Sequence, residues 1–150
     1  MQDLYWHQRL GSYKHWQDNF YSGVPRKNWL PFYARHFPSV EINATFYRLQ
    51  NISTFVRWHD QTPPQFRFAI KANRYLTHNR KLLDPETPVL TEKNRAAALQ
   101  EKLVVVLWQL PKAWSKNIAR LQTFVQALSS WREVRHCMEF RHPSWLKWLH

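Results

Sequence analysis

The run Leu103 to Leu110 (LVVVLWQL) restricts the fold of this chain more than any other segment. It is apolar at nearly every position and is closed by Pro111, so both of its faces must be covered by other parts of the protein. A strand of that kind belongs in a parallel sheet with helices packed on it.

The flanking segments fit the same frame. Phe66 to Ala72 (FRFAIKA) alternates in period two after the stop at Pro63-Pro64 and predicts a strand. Val40 to Tyr47 (VEINATFY) alternates likewise, and a loop through Arg48-Leu49 and Asn51-Ile52-Ser53-Thr54 then leads into a helix carrying Phe55 and Trp58. Upstream, Asn28 to Phe37 carries an aromatic stripe of Trp29, Phe32, Tyr33 and Phe37 and reads as a helix with that stripe in the core. Pro31 is tolerable there only near the first turn. Leu90 to Lys102, rich in Ala, Glu, Lys and Gln, predicts another helix. Ile118, Leu121, Phe124, Val125 and Leu128 line one side of a further helix, with Ser115 as its expected N-cap. A strand around Cys137 to Arg141 closes the series, and Leu4 to Trp6 reads as a short first strand.

Strands thus recur at intervals of about thirty residues in the order β-α-β-α-β-α-β-α-β, the alternation that gives parallel pairing through right-handed crossovers. The expected fold class is α/β and TIM-barrel-like but incomplete, with about five strands and four helices. A closed eightfold barrel takes about 250 residues, and this chain has 150. Residues 1–150 read as one domain, because no linker or shift in composition divides them.

Parity then locates chemistry. Side chains on alternate strand positions share a face, which groups Glu41 with Asn43, Arg67 with Ala69 and Lys71, Val105 with Leu107 and Gln109, and Glu139 with Arg141. Each inward face ends polar. In an α/β barrel those C-terminal ends surround the ligand site. Glu41 and Glu139 are therefore candidate general acids or bases, and Lys71 is a candidate for stabilising negative charge or forming an imine. Asn43, Tyr47, Gln109 and Arg141 are candidate binding residues, joined by Arg74 and His78 in the loop just past the strand at Phe66 to Ala72 and by His142. The bland alternative is internal pairing, in which Lys71 and Arg141 neutralise Glu41 and Glu139.

A metal centre would draw on His78, Glu139 and His142, but nothing has ligand-motif spacing. Only two glycines are present, so a phosphate cradle of glycine backbone is improbable. No metal is assigned and no cofactor is named. Cys137 is the single cysteine, which excludes an internal disulfide, and it reads as a buried thiol. No window approaches about 18 apolar residues, and the start lacks a leader pattern, so cytoplasm is the expected location and no membrane partner is expected. The net charge of +12 attracts phosphate-bearing partners. Its basic residues are scattered and no nucleic-acid motif accompanies them, which fits a solvated basic surface; a nucleic-acid or other anionic-partner module without catalysis is the competing functional class.

Several segments carry a resemblance. Gly11-Ser12-Tyr13-Lys14-His15-Trp16, Phe32-Tyr33-Ala34-Arg35-His36-Phe37, Val40 to Arg48, Thr54-Phe55-Val56-Arg57-Trp58, Phe66 to Ala72, Tyr75-Leu76-Thr77-His78, Gln109-Leu110-Pro111 and Glu139-Phe140-Arg141-His142-Pro143-Ser144-Trp145 occur in the order and spacing of the YecE-like proteins, catalogued as domain of unknown function 72. The resemblance implies a TIM-barrel-like fold in a bacterial or archaeal soluble protein of unestablished activity. Two departures stand out. His7-Gln8-Arg9-Leu10 precedes a single Gly11 where the family has a turn with two glycines, and relatives continue past the HPSW segment through roughly three more βα units. The second departure implies an open sheet edge, which could associate with another copy of the chain.

Overall fold

The computed structural model describes residue 16 and residues 18–147. Four strands form one sheet: β1 (Ser39–Ile42), β2 (Arg67–Lys71), β3 (Leu103–Gln109) and β4 (Arg135–Glu139). They pair in sequence order and every pairing is parallel. The strand expected at Leu4 to Trp6 lies outside the described residues.

Parallel neighbours require long connections, and these are helical. Helix α1 (Trp29–His36) precedes β1, and α2 (Ala44–Tyr47) and α3 (Ile52–Asp60) join β1 to β2. A π turn at Tyr75–Asn79, helix α4 (Glu86–Ala96) and a 3-10 segment at Ala97–Lys102 join β2 to β3. Helix α5 (Ile118–Leu128) joins β3 to β4, and a 3-10 turn at Pro143–Leu146 follows.

The outward face of the sheet is sealed. Val40, Ile42, Phe68, Ile70, Val106 and Trp108 are buried on it, and Phe55, Val89, Leu99 and Phe124 of the surrounding helices belong to the same core. Complete burial of a side chain of this size contributes roughly 1.5–3 kcal/mol, so the alternation in β1 and β2 has a direct energetic cause. Tyr33 and Trp29 of the aromatic stripe are buried, while Phe32 and Phe37 pack half-buried against the same core. Pro31 falls in the first turn of α1, where its missing N–H removes no helical hydrogen bond.

Strand β4 is held differently. Trp108 Nε1 donates to His136 Nδ1 at 3.1 Å, and His136 Nε2 lies 2.7 Å from the Trp131 carbonyl. Because an indole only donates, the imidazole accepts at Nδ1 and carries its proton on Nε2. Burial lowers its pKa, which keeps the ring neutral.

Five expectations need correction. The alternating run does not stay extended to Tyr47: β1 ends at Ile42 and Ala44–Tyr47 closes a helical turn, with Thr45 and Phe46 both turned inward. The helix expected at Leu90 to Lys102 begins earlier and stops at Ala96, and Gln100 at φ 54° breaks the 3-10 segment that follows. The cap of α5 is Asn117, whose Oδ1 accepts from the Arg120 N–H at 3.1 Å, and not Ser115. Arg141 lies two residues beyond the end of β4 instead of on the strand. Cys137 is exposed, because β4 borders only β3 and the inward face at this position has no covering neighbour among the described residues.

Candidate functional site

Register decides which side chains meet. Lys71 of β2 is level with Leu107 of β3, which is level with Cys137 of β4, and Gln109 is level with Glu139 one layer further along. Glu41 pairs with Ala69 one layer below. Paired positions point to the same face of a sheet. The result is a cavity of about 390 Å³ at the C-terminal ends of the strands, lined by Glu41, Asn43, Lys71, Gln109, Glu139 and Arg141 together with Leu107, Cys137 and Met138. All six polar residues that parity grouped at the strand ends line it.

The charges inside are unequally satisfied. Arg141 Nε donates to Glu139 Oε1 at 2.6 Å, one ion pair just past the end of β4. Lys71 makes no ion pair with a carboxylate among the described residues. Its ammonium instead lies 4.4 Å from the centroid of the Phe46 ring, a cation–π contact. Burial lowers the Lys71 pKa and the nearby Arg141 lowers it further, against opposing pulls from Glu139, Tyr47 and Glu41. Burial also raises the Glu41 pKa, with Lys71 pulling it down and Glu139 pushing it up. A carboxyl and an amine thus share one cavity, each displaced toward its neutral form, which suits proton transfer.

A chain of hydrogen bonds fixes Lys71 from behind. Thr45 Oγ1 lies 2.6 Å from the Lys71 carbonyl and 3.0 Å from that of Ile42, so the turn α2 is tied to the ends of both β1 and β2. Asn73 Nδ2 donates to the Thr45 carbonyl at 3.3 Å, and Asn73 Oδ1 accepts from the Tyr75 N–H at 3.0 Å. The Asn73 N–H is bonded in turn to Glu92, a residue 6% exposed whose carboxyl pKa is pushed up to about 7 by burial. Sequence reasoning missed Thr45, Asn73 and Glu92. None carries a motif, and Glu92 sits in a stretch that reads as a solvated helix face.

The remaining candidates lie outside the cavity lining. The Arg74 guanidinium is 5.9 Å and the His78 ring 5.0 Å from the Phe46 ring, so Lys71, Arg74 and His78 surround one aromatic side chain. Burial and four cations, Arg74, Lys71, Arg141 and Lys81, lower the His78 pKa. Tyr47 is 54% exposed. His142 is turned into the backbone, where its Nδ1 lies 2.8 Å from Ser144 Oγ and accepts from the Ser144 N–H at 3.1 Å. His78, Glu139 and His142 form no metal cage, and no three metal-ligating side chains converge among the described residues.

A parallel α/β sheet with helical crossovers and a polar cavity at its C-terminal edge defines a broad class of protein. Within that class the chain belongs to the family described as "Protein of unknown function DUF72", which matches residues 12–149. It is 31% identical over 112 residues to UPF0759 protein YecE of Escherichia coli, covering 74% of this chain and 40% of that protein. It is 28% identical over 128 residues to UPF0759 protein YunF of Bacillus subtilis, covering 77% and 43%. A DUF72 family protein of Thermotoga maritima has a similar solved structure, with a TM-score of 0.71 and 26% identity over 87% of this chain and 52% of that one. The structure of a DUF72 family protein from Enterococcus faecalis, 23% identical with a TM-score of 0.65, shares the fold over 79% of this chain and 49% of that one. The chain therefore spans about half the length of these relatives or less. No helix among the described residues is long and apolar enough to cross a membrane.

Proposed function

We propose that this chain is the N-terminal part of a TIM-barrel-like enzyme scaffold that binds a small polar molecule at the C-terminal ends of its strands. One observation carries the reading: Glu41, Asn43, Lys71, Gln109, Glu139 and Arg141, brought from four successive parallel strands and their exits, share one cavity. Glu41 serves as the proton-transferring carboxyl, since burial holds it closer to neutrality than an exposed glutamate. Lys71 stabilises charge developing beside it, and Glu139, oriented by Arg141 at 2.6 Å, positions the bound molecule.

Thermal-shift screening of the folded chain against small polyols, hydroxy acids and sugar phosphates tests the reading. Stabilising hits that vanish in Lys71→Met and Glu139→Gln are expected. Hits that survive both substitutions would remove the cavity from the function.

The net charge of +12 supports a second reading, an anionic-polymer binding surface. That surface would hold oligonucleotides with a steep salt dependence and no dependence on Lys71. An association of two copies through the edge at β4 is a further proposal, checked by sedimentation across a concentration series.

A further inference from the structure

The ligand's chemistry can be narrowed, on the premise that the cavity is a small-molecule site. Two side-chain donors in it, on Asn43 and Lys71, have no hydrogen-bond or ion-pair partner among the described residues. Asn43 is 6% exposed and lines the cavity, and its Nδ2 has no hydrogen-bond partner among the described residues. A buried N–H without an acceptor costs roughly 1–3 kcal/mol, and native proteins rarely leave one unexplained. The Lys71 ammonium rests on an aromatic face and on no carboxylate among the described residues. Continuing the β1–β2 register by one position past Ile42–Ile70 brings Asn43 level with Lys71, and both line the cavity. Arg141 commits its Nε to Glu139, which leaves the outer edge of its guanidinium fork.

Of the carboxylates, Glu139 already receives Arg141, and burial raises the Glu41 pKa. Unpartnered N–H groups on Asn43 and Lys71 call for a ligand with oxygen acceptors. The surroundings agree: Lys71, Arg74, Lys81 and Arg141 all act on His78 in the same direction, so this side of the cavity is electropositive.

We infer that the cavity binds an oxyanion, a phosphate or carboxylate borne on a small hydroxylated molecule, with its oxygens taken by Asn43 Nδ2, Lys71 Nζ and the outer guanidinium edge of Arg141. Gln109 and Glu41 face the hydroxylated remainder.

Titrating ¹⁵N-labelled protein with glycerol 3-phosphate, glycerate and glycerol at constant ionic strength tests this with one carbon skeleton. One or both anions are expected to saturate and to shift the Asn43 side-chain amide pair, and whichever binds more tightly separates phosphate from carboxylate. Asn43→Asp, which sets a carboxylate where the donor stands, and Lys71→Met should each weaken that anion at least about tenfold. Lys27→Gln, exposed and far along the chain, should leave it unchanged. The amide spectra of the variants report whether they remain folded. Tighter binding of glycerol than of either anion, lost in Glu139→Gln, would overturn the oxyanion and leave the small-molecule site standing. Anion shifts unaffected by Asn43→Asp and Lys71→Met would overturn both. Displacement of a prebound oligonucleotide with no shift at Asn43 would assign the anion to the general basic surface and overturn the inference as well.

Discussion

Lys102, where the chain enters β3, and Lys71, where it leaves β2, are both drawn out of water, and they are partnered in opposite ways. Lys102 is 3% exposed, and its Nζ donates to the His59 carbonyl at 2.6 Å, the Thr62 carbonyl at 2.8 Å and Thr62 Oγ1 at 3.2 Å. All three of its protons are used, on acceptors at the negative end of α3. Lys71 has a ring face at 4.4 Å and a second cation, Arg141, nearby. One end of the sheet uses a buried cation to close a helix terminus. The other leaves one without an ion pair among the described residues, its burial offset by the Phe46 ring and the fields of Glu139, Tyr47 and Glu41.

The largest effect that would break this comparison is at Lys102. Lys102→Met takes its donor from the Thr62 carbonyl, while the His59 carbonyl keeps the Thr62 N–H and hydroxyl, and should lower stability by about 2 kcal/mol in urea unfolding. An unchanged midpoint would show that Lys102 holds nothing together.

Glu92 comes next. Its folded pKa, about 7, stands above the ordinary carboxylate value of 4.5, so the folded state retains a proton that the unfolded chain releases. The stability this contributes is fully present below about 4.5 and is lost progressively as pH rises toward 7. Glu92→Gln keeps an acceptor for the Asn73 N–H and should flatten that decline, raising the unfolding midpoint at pH 8 relative to the parent. Parallel pH profiles of the two proteins would refute the burial argument.

Lys71→Met should change stability by no more than about 0.5 kcal/mol, or raise it, because it removes a cation that gives up hydration without an ion pair. A loss comparable to that of Lys102→Met would erase the distinction between the two ends. The finest probe is the Glu41 carboxyl followed by ¹³C NMR. Removing Lys71 takes away a downward pull, so the Glu41 pKa should rise, whereas Glu139→Gln removes an upward push and should lower it. Shifts of the reverse sign would mean that the three groups do not share a cavity.

Lys71, Gln109 and Glu139 were legible in the sequence because period-two alternation is imposed by the burial of their neighbours, Ile70, Trp108 and Met138, on the other face. The same signal misled at Ala44–Tyr47, where a helical turn also buries two residues in a row that reads as alternating. Arg141 was grouped with Glu139 by a strand parity that does not reach it. The pair nonetheless forms, two residues apart, as the internal-pairing alternative anticipated. Lys102 and Glu92 were invisible for a simpler reason. A lysine or glutamate in a helical stretch reads as solvated, and only tertiary contact with α3 or with the loop after β2 shows otherwise.

The Thr45 hydroxyl, lodged between the Ile42 and Lys71 carbonyls, has a mechanical consequence. It welds Asn43 and Lys71 into a fixed jaw, backed by Asn73 and Glu92. Glu139 and Arg141 form the opposite jaw, on a strand that borders a single neighbour among the described residues. On the proposed reading, a bound molecule would meet the side tied together by Thr45 at β1 and β2, and the adjustment its size demands would fall to the β4 side.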